Sequence, residues 1–565
     1  MRPAPPPTVR LLAAAVLLAV VAVAALYLCG YLVLVLLGLD TSGLSWRTYL
    51  GYLQALELPE ARPHRLRIQL AGLLGAGGPA AGLAVLGWFV LRPREPALHG
   101  QARFASVAEV ARQGLLAPAG DGIVVGRMKG KLLRLSGQQF VILAAPTRSG
   151  KGVGVVIPNM LDYQQSIVVL DIKQENFTLT SGWRHAQGQE VYLFNPFAED
   201  RRSHRWNPLS YISQDHALRI NDLQGLAMML YPDVGGENAF WVGLARNAFI
   251  GFALYLFEDH DDAAAHGEPP PRPSLGGVYR LASGGDDDAR EFVRVLAAQP
   301  FLSLEARSAL SALGSREEKT FSSIMSTMME PLNAWISPIL DAATSADDFS
   351  LADVRRKRMT IYLGVQPNKL AQSRLIINLF FSQLINENTR ELPQQNPALK
   401  HQCLLLMDEF TALGKVGIIG NAVSYMAGYN LRLLPIIQSI SQLNSVYGKE
   451  DARTIITNHA LQIVYAPREQ HDANEYSEML GYRTVRKRSR SRGRESSYSE
   501  SDERRALMLP QELKELGFDR EILFYERIAG PILCEKIRYY EDPYFRARLL
   551  PAVEIPLLSL PQAQR

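Results

Sequence analysis

The stretch AAPTRSGKGVG, Ala144 to Gly154, carries Gly150 and Lys151 at the spacing of the phosphate-binding pattern G-x-x-x-x-G-K-[ST]. The chemistry such a loop offers is anion binding. Small residues let backbone N–H groups wrap a phosphate, and the lysine reaches the β- and γ-phosphates of a nucleotide. Two positions depart from the pattern. Ala145 stands where the leading glycine is usual, a modest change if its backbone stays in an ordinary region. Gly152 stands where a hydroxyl residue normally ligates Mg2+, which leaves water, Ser149 or Thr147 to fill that place. The loop expected to hold a nucleotide is Ala145, Pro146, Thr147, Arg148, Ser149, Gly150, Lys151, Gly152 and Val153.

A hydrolytic site also needs carboxylates. CLLLMDEF, Cys403 to Phe410, is an apolar run ending in Asp408-Glu409. Asp408 is placed to hold Mg2+ through water, and Glu409 to orient and deprotonate the attacking water. Taken alone, the pair could equally cap the next helix. Taken with the glycine loop, in this order, it defines a nucleotide-hydrolysing core with ATP and Mg2+ as cofactors. LRLLPIIQS, Leu431 to Ser439, ends its strand in Gln438, where an amide can sense the γ-phosphate or position water. The expected catalytic set is Lys151, Asp408, Glu409 and Gln438. Phosphoryl transfer also gains from an arginine supplied by a neighbouring subunit. Arg432 and Arg468, and Arg148 beside the lysine, are candidates, each also readable as an ordinary surface ion pair.

These residues need elements to hold them. FVILAA, Phe140 to Ala145, reads as a short buried strand feeding the loop, with a helix from Lys151. The same pattern recurs at Ser166 to Ile172, Glu190 to Pro196, Met359 to Val365, Cys403 to Phe410, Leu431 to Ser439 and Leu461 to Pro467. Helical stretches such as Ser373 to Leu392 lie between. Alternation of this kind predicts an α/β fold, a mostly parallel sheet covered on both faces. Between about Ser213 and Gly314 there is helical periodicity and no strand. Ala239 to Glu258 carries few charges and should be buried there. An all-α domain is therefore inserted, with a loop at His266 to Gly277. The basic tract Arg486 to Arg505 reads as a solvated mobile loop.

At the start, Leu11 to Leu39 contains no charged residue and exceeds the ~20 residues needed to span a bilayer. Ile68 to Leu91 forms a second span. Gly75, Gly77, Gly78 and Gly82 within it permit close helix contact. The first run is too long for a signal-peptide core, so a retained two-helix hairpin is expected. Flanking arginines nearly balance between the two sides. A body that uses ATP must lie in the cytoplasm, which makes Asp40 to Arg67 a small periplasmic segment. The expected divisions are 1–95 (membrane hairpin), 96–212 and 315–565 (nucleotide-binding domain) and 213–314 (inserted all-α domain). Of 565 residues, 47% are hydrophobic and 21% charged, which excludes a disordered chain. The net charge of +4 is too mild to argue nucleic-acid binding from bulk charge. Cys29, Cys403 and Cys534 lie too far apart in sequence for a disulfide framework or a metal motif.

Several motifs together carry a resemblance: HGQARFA (His99 to Ala105), APTRSGKGVGVVIP, VVLDIKQEN (Val168 to Asn176), WNPLSYI (Trp206 to Ile212), FWVGLARNAFIG, LLLMDEFTALG and IIQSISQL. The chain from the membrane hairpin to about residue 545 resembles the type IV secretion coupling proteins of the TraG-like group. Glycine after the loop lysine occurs in many such sequences. The resemblance implies a bacterial inner-membrane, multi-pass ATPase whose RecA-like motor domains form a homo-hexamer with nucleotide at subunit interfaces. It implies an all-α domain that recruits cargo. The partners it implies are secretion-channel components and their ATPases, with effector proteins or relaxase-bound single-stranded DNA as cargo. The helical block reads as acidic in its loops, at Asp259, Asp261, Asp262, Glu268 and Asp286 to Asp288, which suits protein signals better than bare DNA. Two rival readings remain, an ATP-binding docking receptor without motor activity and a chromosome-type DNA translocase.

Overall fold

The computed structural model describes residues 7–91, 98–116, 120, 122–233, 235–236, 238–267, 272–284, 288–492 and 496–560. The chain divides into two compact units, Met1–Ala97 and Leu98–Arg565.

In the first unit the helices Pro7–Leu37 and Arg65–Leu91 pack together, with the short helix Thr48–Ala55 between them in sequence. Val33, Leu34, Ile68 and Ala71 form its buried core, flanked by Tyr49 and Tyr52. A Cβ on Gly75 would stand 2.6–2.8 Å from Cys29 atoms, so this position must be bare for the helices to meet. Gly77, Gly78 and Gly82 have open space around them and make no such contact. The segments Leu18–Leu37 and Ala61–Val85 are long and apolar enough to cross a membrane.

The second unit is built on strands β1 (Ile123–Met128), β2 (Lys131–Leu135), β3 (Val141–Ala144), β4 (Ser166–Asp171), β5 (Glu190–Phe194), β6 (Met359–Gly364), β7 (Cys403–Met407), β8 (Leu431–Ile437), β9 (Leu461–Val464), β10 (Tyr482–Arg492), β11 (Ser496–Ala506), β12 (Arg520–Tyr525) and β13 (Ile532–Glu535). The main sheet runs β2-β1-β13-β12-β9-β3-β8-β7-β4-β6-β5. From β9 to β5 every pairing is parallel. The β2-β1-β13-β12 extension joins β9 antiparallel. Every residue of β4, β6, β7 and β8 is buried, which explains their mainly apolar sequences: helices cover both faces. Parallel strands bring their carboxyl ends to one edge, and Ala145, Asp171, Asp408 and Gln438 all fall there.

The helical block is the crossover from β5 to its neighbour β6. It comprises His216–Leu230, Asn238–Ala265, Leu275–Ala282, Ala289–Ala297 and Leu304–Gly314, then Glu318–Leu332 and Pro338–Ala343. The expected boundary at Gly314 therefore falls between two helices of one block. Its core is continuous with that of the sheet, since Phe249, Phe252 and Leu310 share a cluster with Leu363 and Leu405. Asn238–Ala265 also has the length and hydropathy of a membrane span, yet Phe249, Phe252 and Ala253 are fully buried within this block. Asp259, Asp261 and Asp262 lie on that helix, not in a loop. Asp261 pairs with Arg219 at 2.9 Å, and Asp288 caps the next helix but one. Glu268, Asp286 and Asp287 lie outside the described residues.

The tract expected to be a mobile loop is instead the antiparallel hairpin β10–β11. Cross-strand charge pairing accounts for it. Arg486 lies opposite Asp502, with Nε 3.6 Å from the carboxylate, and Lys487 reaches Glu503 at 3.1 Å. The root of the hairpin is pinned by His99 N–H to the Thr484 hydroxyl (2.9 Å) and Ala102 N–H to the Tyr482 carbonyl (3.0 Å).

Candidate active site

β3 delivers the glycine loop to the carboxyl edge of the sheet. Ala145 N–H donates to the Ile437 carbonyl (2.9 Å), tying the loop to β8, and Ser149 N–H closes a turn onto Pro146 (3.2 Å). Arg148 (φ 61°) and Gly150 (φ 87°) are both left-handed, which folds the chain back into a cradle. The helix Gly152–Asp162 then begins with a π-helical turn, with Gly154 N–H donating to the Gly150 carbonyl at 2.8 Å. Its positive end faces the cradle. Gly154 cannot carry a side chain as packed: a Cβ would stand 2.5 Å from the Tyr465 hydroxyl. Around Gly152, by contrast, there is open space.

β7 ends in the carboxylate pair. Lys151 Nζ lies 3.2 Å from Asp408 Oδ1 and is also ion-paired with Glu409 Oε1. The side chains of Lys151, Asp408 and Glu409 are 13%, 21% and 25% exposed, so the three charges meet in a largely dry place. Burial raises the pKa of Asp408, with Lys151 opposing the rise. Burial works against ionisation of Glu409 as well, but the Lys151 ammonium and the Gln438 amide overcome it and hold the carboxyl below its ordinary value. Glu409 itself is left-handed, with φ 56°.

β8 is inserted between β3 and β7, and this places Gln438 between loop and carboxylates. Its Nε2 donates to Glu409 Oε2 (3.0 Å), and its Oε1 accepts from the Thr147 hydroxyl (3.1 Å). The four residues read as catalytic thus form one bonded chain, Asp408–Lys151–Glu409–Gln438, which Thr147 extends into the loop. On the other side Gln438 lines a cleft of about 330 Å3 with Pro146, Thr147, Tyr465 and Arg468. Arg468 is exposed and borders its own phosphate loop.

Arg432 does not stand as an arginine finger. It lies near the amino end of β8, fully buried, and its guanidinium donates to the carbonyls of Leu135 (3.0 Å) and Gln139 (2.9 Å). Its charge is spent on the fold.

Two residues at this edge escaped sequence reasoning. Asp171 ends β4, and burial pushes its carboxyl up to about 7 against N–H donations from Phe177 (2.8 Å) and Asn176 (3.4 Å). It caps the helix Glu175–Ala186, and its signal was the apolar strand ending in Asp. Lys536, just after β13, donates to the Ser149 carbonyl at 3.3 Å. No local pattern links it to a loop 387 residues away.

A glycine loop between strand and helix, a strand-end Asp-Glu pair and a third strand between them define a RecA-like α/β protein of the nucleotide-loop class. Residues 104–556 match the family described as Type IV secretory system Conjugative DNA transfer. The chain belongs to this family and is a type IV coupling protein. It is 31% identical over 474 residues to the VirD4 protein of Rhizobium radiobacter, covering 81% of this chain and 67% of that one. It is 27% identical over 522 residues to the conjugal transfer protein TraG of Escherichia coli, covering 82% and 79%. Among solved structures, the bacterial conjugative coupling protein TrwBdeltaN70 is similar in fold, with TM-score 0.54 and 17% identity, covering 80% of this chain and 97% of that one. TrwB in complex with ADP and Mg2+ gives TM-score 0.52 at 17% identity, covering 84% and 98%.

Proposed function

We propose that the chain hydrolyses ATP at the Lys151–Asp408–Glu409–Gln438 site. We propose further that it uses this, as an inner-membrane hexamer with the 98–565 unit in the cytoplasm, to pass relaxase-bound single-stranded DNA into a type IV secretion channel. The observation that carries the reading is that Lys151 and the Asp408-Glu409 pair, 257 and 258 residues apart in sequence, meet around one point with Gln438 joining them. The DNA cargo is supported by the matched family's own description, conjugative DNA transfer.

The residues fit a nucleotide with Mg2+. Lys151 carries the charge that phosphates take, and two carboxylates and the Ser149 hydroxyl are the hard oxygen donors Mg2+ prefers. Ser149 Oγ is buried without a hydrogen-bond partner, so it has capacity to spare. Among the described residues no group of three or more His, Cys, Asp or Glu side chains gathers at metal-binding spacing. Asp408 would therefore hold Mg2+ through water, alongside the nucleotide's own oxygens. Mg2+ supplies charge neutralisation on the phosphates. The chain supplies the remainder. Gly150 and its neighbours present N–H groups, Lys151 exchanges its carboxylate partners for phosphate oxygens, and Glu409, freed from Lys151, accepts a proton from water. Gln438 holds Glu409 in place during that exchange. Arg148 and Arg468 are the exposed arginines from which a neighbouring subunit's site could draw a finger.

Glu409→Gln tests the reading in full-length protein reconstituted in lipid nanodiscs. Binding of a fluorescent ATP analogue should persist. DNA-stimulated hydrolysis should fall by about 10²-fold or more, and conjugative transfer should stop with it. Transfer that survives without hydrolysis would sink the motor and leave the docking receptor.

A further inference from the structure

Behind the phosphate loop, on the antiparallel side of the sheet, lies a polar cluster that the hydrolytic chemistry above does not use. Lys536 follows β13. Its Nζ sits 3.6 Å from the centroid of the Tyr465 ring and 3.3 Å from the Ser149 carbonyl oxygen, to which it donates. Tyr465 follows β9, is fully buried, and its N–H donates to the Ala144 carbonyl (3.0 Å) at the start of the loop. Its hydroxyl occupies the space that Gly154 leaves bare. Glu521 of β12 lies fully buried behind, with the Cys534 thiol of β13 3.6 Å from Oε1. Asp519, preceding β12, adds its charge from the surface, and its backbone carbonyl accepts the Lys536 backbone N–H (2.8 Å). Burial pushes the Glu521 carboxyl up to about 8 and the Lys536 ammonium down to about 8, and each group opposes the other's shift.

The consequence follows from peptide geometry. In a trans peptide the C=O and the next N–H point in opposite directions. The Ser149 carbonyl and the Gly150 N–H share one such plane. Gly150 at one end of this plane is left-handed, and so is Arg148, the residue before Ser149. Left-handed backbone is strained at a non-glycine such as Arg148, so the turn that leads into this plane needs an external hold. A cation on the carbonyl side provides one, and it turns the Gly150 N–H towards the cradle.

We propose that Lys536 is a positioning residue of the nucleotide site, gripping the Ser149 carbonyl so that the Gly150 N–H faces the phosphates. Tyr465 is its seat, and the same residue meets both ends of the loop, with its backbone N–H at Ala144 and its ring at Gly154. This proposal rests on the nucleotide reading above.

The test uses full-length protein in nanodiscs, with a fluorescent ATP analogue for binding and steady-state ATP hydrolysis for turnover. Lys536→Met should weaken analogue binding about tenfold, as expected for loss of one charge-assisted hydrogen bond. KM should rise while kcat stays within about threefold, because the loop serves ground state and transition state alike. Lys536→Arg, which keeps charge and donors, should recover most of the affinity. Should Lys536→Met fail to fold, the double variant Lys536→Met/Glu521→Gln removes the stranded acid and takes its place in the comparison. Wild-type affinity in Lys536→Met, or equal impairment of the Met and Arg variants, overturns the proposal and leaves the nucleotide reading standing. Absence of binding by the wild-type protein, with Lys151→Ala as reference, overturns both.

Discussion

Arg432 and Lys151 show how differently two buried cations can be used. Lys151 is held by carboxylates that it can leave, while Arg432 is held by backbone carbonyls with no other donor in its role. Each buried carbonyl stripped of its donor costs about 1–3 kcal/mol. Arg432→Ala should therefore lower stability by at least about 2 kcal/mol, read as an earlier thermal midpoint, while the folded fraction binds the ATP analogue normally. Lost hydrolysis with an unchanged midpoint would return Arg432 to the site. At this scale the sequence was legible wherever a residue's neighbours were local. Lys151, Asp408 and Glu409 each follow an apolar strand, and their types announce their chemistry. Burial of Arg432, the left-handed turn at Glu409 and the reach of Lys536 depend on strands far away in sequence, and no local pattern encodes them.

Among elements, the seven parallel strands were readable as short, mainly apolar runs, clearest where both faces are buried, as in β4, β6, β7 and β8. Their order was not, since nothing in the run of β8 says that it slots between β3 and β7. The β10–β11 hairpin was missed for a different reason. Its strands are polar on both sides, so hydrophobic alternation is absent and only opposed charges set the register. Arg486→Glu should place like charges across the ladder and cost about 0.2–1 kcal/mol per pair. That is enough to speed limited proteolysis between Tyr482 and Ala506. The swap Arg486→Glu/Asp502→Arg should restore protection. Cleavage rates indifferent to both changes would show that charge pairing does not hold this ribbon.

For the whole molecule, the site, its seat and the hairpin root all belong to the 98–565 unit. A fragment beginning at Leu98 should bind the ATP analogue within about threefold of the full chain, as expected of a unit with its own core, while losing its association with membranes. Binding weakened tenfold or an insoluble fragment would contradict this. The two-unit plan was legible from hydropathy, because the charge-free runs at the start contrast with the alternating body. The extent of the helical crossover was not. Gly314 closes one helix of the block, and a local stop signal looks the same at a helix end as at a domain end. The close approach of the Tyr465 hydroxyl to Gly154 bears on how this lineage can drift. A methyl group at 154 clears Tyr465 Cζ by 3.7 Å and the Ile537 carbonyl by 3.4 Å, so the phenolic oxygen alone bars the way. Substitutions at the two positions should therefore depend on order: Tyr465→Phe first vacates the room that Gly154→Ala needs, whereas Gly154→Ala made first collides with the hydroxyl.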